Sequence, residues 1–161
     1  MAKAQGKSSD HEPVIENRQA RHDYHIEETL ECGISLRGTE VKSVRRGLAS
    51  LAEGYVRATA EPAALELHGV HIAEYPPAGA AHQHAPTRTR VLLAHKREIR
   101  KLAGQTSTKG TTIVPLRMYF KEGRVKVLIG VATGKTKVDK REDIKSREAR
   151  REIDRAMSRR G

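Results

Sequence analysis

The sequence predicts a mainly β chain with short helices, folded as a small antiparallel barrel and followed by a loose C-terminal tail. Three observations carry that expectation. Residues Tyr24 to Leu36 alternate as a half-buried strand does, and residues Val114 to Val131 fold back on one another as a self-consistent hairpin. The last 28 residues, by contrast, hold too little apolar surface to pack.

In the first strand, Tyr24, Ile26, Leu30, Cys32, Ile34 and Leu36 share one face. His25, Glu27, Thr29, Glu31, Ser35 and Arg37 share the other, Glu28 is the one violation, and Gly33 offers a place to bend. A short helix follows, capped by Thr39 and stopped by Gly47, with Val41, Val44 and Leu48 inward and Lys42, Arg45 and Arg46 outward. Strands are predicted near 50–59 and 64–73. In the second of these the apolar positions change face across Gly69, which predicts a bulge. Residues 76–86 form a loop of Ala, Gly, Pro and His. A second helix is predicted over 95–103, burying Ile99, Leu102 and Ala103 and ending at Gly104.

A turn at Glu122-Gly123 then pairs Phe120 with Val125, Met118 with Val127, Leu116 with Ile129 and Val114 with Val131. On the outer face Tyr119 meets Lys126, with Arg117 beside them; the turn type stays open. Five strands, two short helices and a body of ~100 residues resemble the oligonucleotide-binding barrel, in which closure removes exposed edges. The chain divides into a disordered N-terminal tail over 1–13, a β-barrel domain over 14–133 and a basic tail over 134–161.

Composition narrows the function. With 31 Lys and Arg against 20 Asp and Glu, the net charge is +11, which calls for a polyanionic partner, nucleic acid first. No apolar stretch approaches the ~18 residues of a membrane span, and residues 1–13 contain no apolar run of a signal peptide. A single cysteine, Cys32, permits no intramolecular disulfide; the cytoplasm is the expected compartment. Four Tyr, one Phe and no Trp are too few for a surface built on rows of base-stacking rings. The tail carries 11 Lys/Arg against 6 Asp/Glu over 134–161. It consists of good helix formers, with Ala149, Ile153, Ala156 and Met157 on one side and Ile144 opposite. Such a segment is expected to be mobile in free solution and to become helical on a polyanion.

Three constellations imitate catalytic sites. Gly130 to Thr136 looks like a phosphate loop leaving a strand, but only three residues separate its glycines where four are needed, and Ile129 stands in the first glycine's place. His22/His25 and His68/His71 are spaced by three, which on a strand sends the rings to opposite faces. His82 and His84 lie in a loop without Cys or acidic partners, so these histidines read as solvated or RNA-facing. Glu27 and Glu31 share a face, but no aspartate joins them as a nuclease metal site would require. The expectation is a chain that is no enzyme and uses no metal or cofactor.

One ordered set of motifs is more specific. Asn17-Arg18-Gln19-Ala20-Arg21-His22-Asp23-Tyr24 runs into Ile26-Glu27-Glu28 and Glu31-Cys32-Gly33-Ile34, then Gly38-Thr39-Glu40-Val41-Lys42-Ser43-Val44-Arg45. Later come Arg88-Thr89-Arg90-Val91-Leu92-Leu93, His95-Lys96-Arg97-Glu98-Ile99, Val114-Pro115-Leu116, Tyr119-Phe120-Lys121 and Gly123-Arg124-Val125-Lys126, then Gly134-Lys135 and Asp139-Lys140-Arg141. In this order and spacing, from about Asn17 to about Arg151, the chain closely resembles the SsrA-binding protein (small protein B) family.

That resemblance implies a non-enzymatic partner of transfer-messenger RNA in bacterial trans-translation. The barrel would bind the transfer-RNA-like domain, and the tail would enter the decoding centre and empty messenger channel of a stalled 70S ribosome, against small-subunit ribosomal RNA. Elongation factor Tu and alanyl-tRNA synthetase would act only through the RNA. Positions matching the family's RNA contacts are Asn17, Glu31, Leu93 and Lys126, with Arg21, His22 and Tyr24 beside the first. Arg90 joins them through the general attraction it shares with Arg88, Lys96 and Arg97. The tail's ribosome-facing positions are Lys135, Lys137, Val138, Asp139, Lys140 and Arg141. Val138 departs from the family, which often carries a histidine or aromatic residue there, so docking would rely on the lysines and Arg141. Two other readings stay open: a basic structural protein of the ribosome, and a magnesium-dependent nuclease using Glu27 and Glu31.

Overall fold

In a computed structural model, residues 12–159 are described; residues 1–11 of the expected N-terminal tail and the last two residues lie outside them. Nine strands and four α-helices follow in order. They are β1 (Ile15–Glu16), α1 (Arg18–Asp23), β2 (Tyr24–Ile34), α2 (Gly38–Arg45), β3 (Ala49–Ser50), β4 (Tyr55–Thr59) and β5 (Ala64–His68). Next come β6 (His71–Ile72), β7 (Arg90–Leu93), α3 (Lys96–Thr106), β8 (Thr111–Lys121), β9 (Arg124–Gly134) and α4 (Lys137–Ser158). Every pairing is antiparallel, and the hydrogen-bonded order runs β1-β8-β4-β5-β7-β2-β9, with β9 also pairing with β8. The β4–β8 junction rests on one pair, Val56 with Ile113, while β3 and β6 form a separate two-stranded ribbon.

Two bulges correct the predicted faces. In β2 the register shifts between Ile26 and Glu28, so the strand's apolar residues serve two clusters. Leu30, Cys32 and Ile34 join the main core with Leu65, Leu67, Ile113 and Val127, whereas Tyr24 and Ile26 pack with Ala20, Val114, Leu116 and Ala132 beneath α1. Glu28, the apparent violation, reaches α3, where it accepts from Lys101 at 2.6 Å and Gln105 at 2.8 Å. The second bulge lies between Pro115 and Arg117. The predicted pairs Phe120–Val125, Met118–Val127 and Tyr119–Lys126 form, but beyond the bulge Ile129 faces Pro115 and Val131 faces Ile113. Leu116 and Val114 thus point into the second cluster, not across to Ile129 and Val131. At the hairpin tip Glu122 and Gly123 both take positive φ, 53° and 76°, as a type I′ turn requires.

Other expectations shift for local reasons. Glu40 reaches back to the Arg37 N–H at 3.1 Å, so α2 begins before Thr39, and Leu48 is exposed. α3 continues past Gly104 to Thr106, with Ile99 and Leu102 buried in the core. Gly69 separates β5 from β6 at φ +72°, and a Cβ there would stand 2.4 Å from the Glu53 carbonyl oxygen. The loop over 76–86 holds two 3-10 turns and is pinned from inside. His84 is buried, its Nε2 2.9 Å from the Ile72 carbonyl and its Nδ1 2.8 Å from the Thr39 hydroxyl; it is neither solvated nor RNA-facing.

In the segment expected to be mobile, residues Lys137–Ser158 are helical. Thr136 and Asp139 form a capping box at the start of α4, and none of its residues is buried. No described helix is long and apolar enough to cross a membrane.

Candidate nucleic-acid interface

At the Ile34 end of β2, the outer sheet face gathers three of the residues singled out from the sequence. Gly33 pairs with Leu93 on β7 and with Lys126 on β9, and Lys126 pairs with Tyr119 on β8. Leu93, Gly33, Lys126 and Tyr119 therefore form one row across four strands. Gly33 keeps the row flat: a Cβ there would stand 3.2 Å from the Leu93 Cβ, so glycine lets Leu93 lie across the neighbouring strand. Leu93 is 57% exposed and Val91, two residues before it on the same face, 52%. These two solvent-facing aliphatic side chains form a small apolar patch among charged groups.

Glu31 stands one step along the same face. Its carboxylate accepts from the Tyr119 hydroxyl and, at 3.1 Å, from Lys121 Nζ. These two donors hold its carboxyl below the usual glutamate range. Burial first, and then the Glu31 carboxylate, push the Tyr119 phenol up to about 12, so it remains a donor at neutral pH. The arrangement presents a fixed, ionised acceptor beside an ammonium and an apolar patch. Phosphate would repel that acceptor, whereas a base amino group could donate to it; the Lys126 ammonium has the charge that a phosphate contact needs. Cys32, directly behind, is buried with its thiol pushed up to about 12 by desolvation.

Two of the predicted contacts are structural instead. Arg90 is fully buried. Its Nε donates to Glu40, Nη1 to the Val70 carbonyl at 2.7 Å and Nη2 to the Pro86 carbonyl at 2.9 Å. Burial would raise the Glu40 carboxyl, but Arg90, Arg88 (Nη2 at 2.5 Å) and the Arg37 N–H more than offset it and hold it low. A guanidinium so committed cannot reach RNA, and Arg88 shares the task. Asn17 is also buried. Its Oδ1 caps α1 at Ala20 N, 3.1 Å, and its Nδ2 donates to the Pro115 and Leu51 carbonyls at 2.9 and 3.2 Å. It anchors the chain entering α1 and offers RNA no free donor.

Arg21, His22 and Tyr24 lie at the opposite end of β2, where α4 meets the body. Lys135 Nζ donates to the Arg21 carbonyl at 3.0 Å and pairs with Asp143; Lys140 pairs with Asp23 at 3.2 Å. His22 lies 3.0 Å from Asp23, and His25 3.4 Å from Asp139. His22 belongs to a helix, not to the strand of His25. Of the tail positions, Lys135 and Lys140 are tied to the body and Asp139 serves the cap, while Lys137, Val138 and Arg141 are exposed. Glu27 sits at the bulge, and among the described residues no three His, Cys, Asp or Glu side chains gather as a metal site. Sequence reasoning set Tyr119 opposite Lys126 but missed Val91 and Lys121 and the contact of Tyr119 with Glu31; only the cross-strand register of β2, β9 and β8 puts Tyr119 and Lys121 beside Glu31.

Comparison with known proteins matches this geometry to one group. A family model described as SmpB protein covers residues 14–159. A protein named SsrA-binding protein from Roseiflexus sp. (strain RS-1) is 54% identical over 91% of this chain and 92% of its own length. Its namesake from Listeria welshimeri is 49% identical over 99% of both chains, and that from Thermobifida fusca 51% identical over 98% of this chain and 97% of its own. A solved chain described under tmRNA-SmpB and the center of the bacterial ribosome superposes with a TM-score of 0.65. It is 45% identical and covers 82% of this chain and 94% of its own.

Proposed function

The chain belongs to the SmpB family, and from that premise we propose that it is the RNA-binding protein of trans-translation. It binds the transfer-RNA-like domain of transfer-messenger RNA and promotes the association of that RNA with stalled 70S ribosomes. Its C-terminal segment lies in the decoding site and messenger channel, so that the nascent chain is tagged and the ribosome released. The protein contributes binding and placement, not catalysis, and acts in the cytoplasm; elongation factor Tu and alanyl-tRNA synthetase act through the RNA.

The observation that carries this reading is the row Leu93–Gly33–Lys126 with Glu31 fixed beside it. It combines an apolar contact, a phosphate cation and a base-edge acceptor on one exposed sheet face, the combination that recognises an unstacked RNA loop. The circuit of pairings from β8 through β4, β5, β7, β2 and β9 supports a small barrel of the oligonucleotide-binding kind as its platform. The exposed Lys137 and Arg141 and the unburied length of α4 support the second attachment, to ribosomal RNA.

The test is a truncation. Deleting 134–161 leaves affinity for the transfer-RNA-like domain nearly unchanged and abolishes tagging on stalled ribosomes. A truncated chain that still supports tagging contradicts the reading. A structural ribosomal protein would instead be found stoichiometrically on all translating ribosomes at moderate salt.

A further inference from the structure

Among the described residues of the body, Arg88, Arg90, Arg100, Lys101, Arg117 and Lys121 each have a carboxylate partner, and the other lysines and arginines form no ion pair. The exposed side of α2 gathers three of these unpaired cations on one short helix. Lys42, Arg45 and Arg46 all project outward, opposite the buried Glu40, Ser43 and Val44, and none makes an ion pair among the described residues. Glu74 and Glu122 are the carboxylates of the adjoining loop and hairpin tip, and neither pairs with them.

Aromatic rings hold these cations instead. Lys42 Nζ lies 5.1 Å from the Tyr75 ring centroid, and Arg46 Cζ 4.8 Å from the same ring. Arg45 Cζ lies 5.2 Å from the Phe120 ring. Tyr75 is itself fixed, because the Gln83 side chain accepts from its N–H at 3.0 Å and donates to its carbonyl. A ring orients a cation without neutralising it. The result is three exposed, pre-positioned positive charges with no paired carboxylate, a local positive field that attracts an anion.

The face is continuous with the RNA site already described. A groove lined by Ile34, Leu36, Val41, Leu93, Arg124 and Lys126 runs from the Leu93–Lys126 row to the flank of α2. We propose that the outer face of α2, with Lys42, Arg45 and Arg46, is a second phosphate-binding surface that grips the backbone of the same RNA that seats on Leu93 and Lys126. The assignment to that RNA follows from the groove and from position: α2 follows the Ile34 end of β2, while α4 leaves from the Tyr24 end. It rests on the reading that this chain binds transfer-messenger RNA.

The experiment measures affinity of the full chain for a transcript of the transfer-RNA-like domain across a salt series. The wild type is compared with Lys42→Gln/Arg45→Gln/Arg46→Gln and with the charge-keeping Lys42→Arg/Arg45→Lys/Arg46→Lys. The neutral triple variant is expected to lose on the order of 10- to 100-fold in affinity at low salt, with the slope of log affinity against log salt reduced by about 2. The charge-keeping variant should stay within a few-fold of wild type, which separates lost charge from lost fold. A neutral variant with wild-type affinity and slope overturns the inference alone. So does one that keeps both but loses ribosome binding, since that assigns the face to ribosomal RNA. Wild-type chain that ignores the transcript overturns the underlying reading and this inference with it.

Discussion

Arg90 and Leu93 stand three residues apart; the structure reverses the surface reading of Arg90, whereas the exposure of Leu93 runs against its bare pattern alone and agrees with the contact that the family resemblance implies. An arginine in a basic stretch reads as surface, and a leucine in Val-Leu-Leu reads as core; the structure buries the first and exposes the second. Periodicity could not separate them, because Val91, Leu92 and Leu93 are all apolar and only Leu92 points inward. The signal that could have placed Arg90 lies on α2. Glu40 and Val44 share one helical face, and a carboxylate on a core-facing stripe requires a cation from elsewhere. Arg90→Ala should therefore act on stability, costing about 3–5 kcal/mol in denaturant unfolding because it strands Glu40 without water. Lys126→Ala should leave stability unchanged and weaken RNA binding. Glu40 also sets an acid limit. Its folded-state pKa lies below the ordinary 4.5, so its contribution is complete above about that pH and is lost as pH falls through the lower, folded value. The urea midpoint should fall more steeply below pH 4.5 in wild type than in Glu40→Gln; parallel curves would refute the assignment. Tyr119→Phe removes one donor from Glu31, which should then titrate nearer the ordinary value by NMR. RNA affinity should drop about three- to tenfold with the fold intact.

At the scale of elements, long periodic segments were legible and interruptions were not. The hairpin tip was correct for three pairs and failed at one residue, because a bulge leaves no mark on alternation except two apolar residues in succession, as at Pro115-Leu116. Strands β1 and β7 are too short to show a period, and α1 is one turn and a half held by the Asn17 cap and the packing of Ala20. For α4 the composition gave a helix former correctly but could not show what its first turns meet. The segment's apolar poverty holds for its outer length, whereas its base is tied by Lys135, Asp139 and Lys140 to the Arg21 carbonyl, His25 and Asp23, and Asp143 holds Lys135 in place. Polar ties of this kind carry no hydropathy signal. They predict a gradient of protection: amides at 140–146 should exchange more slowly than those at 150–158. In Asp23→Asn/Asp143→Asn that difference should vanish while the β2 amides stay protected. Uniform exchange along wild-type α4 would show that the ties hold nothing.

Across the whole molecule, β2 separates two functions by its own length. Glu31 and Gly33 stand at one end and Tyr24 and His25 at the other, roughly 25 Å apart at ~3.3 Å per residue. The first end carries the row proposed to meet RNA and the second the root of α4. Sites this far apart, with no shared partner, should act additively in free energy. Leu93→Ala removes an apolar contact from the row; Lys137→Ala/Arg141→Ala removes two exposed cations from the tail. If each lowers occupancy of the RNA–protein assembly on stalled ribosomes by its own factor, the triple variant should lower it by the product. A loss well short of the product would mean that α4 and the sheet face grip one continuous surface. A loss well beyond it would mean that the tail docks only after the RNA has ordered the body. The product is the result expected of two independent attachments joined by a rigid strand, and affinity titrations of the four proteins at one fixed salt concentration decide among the three.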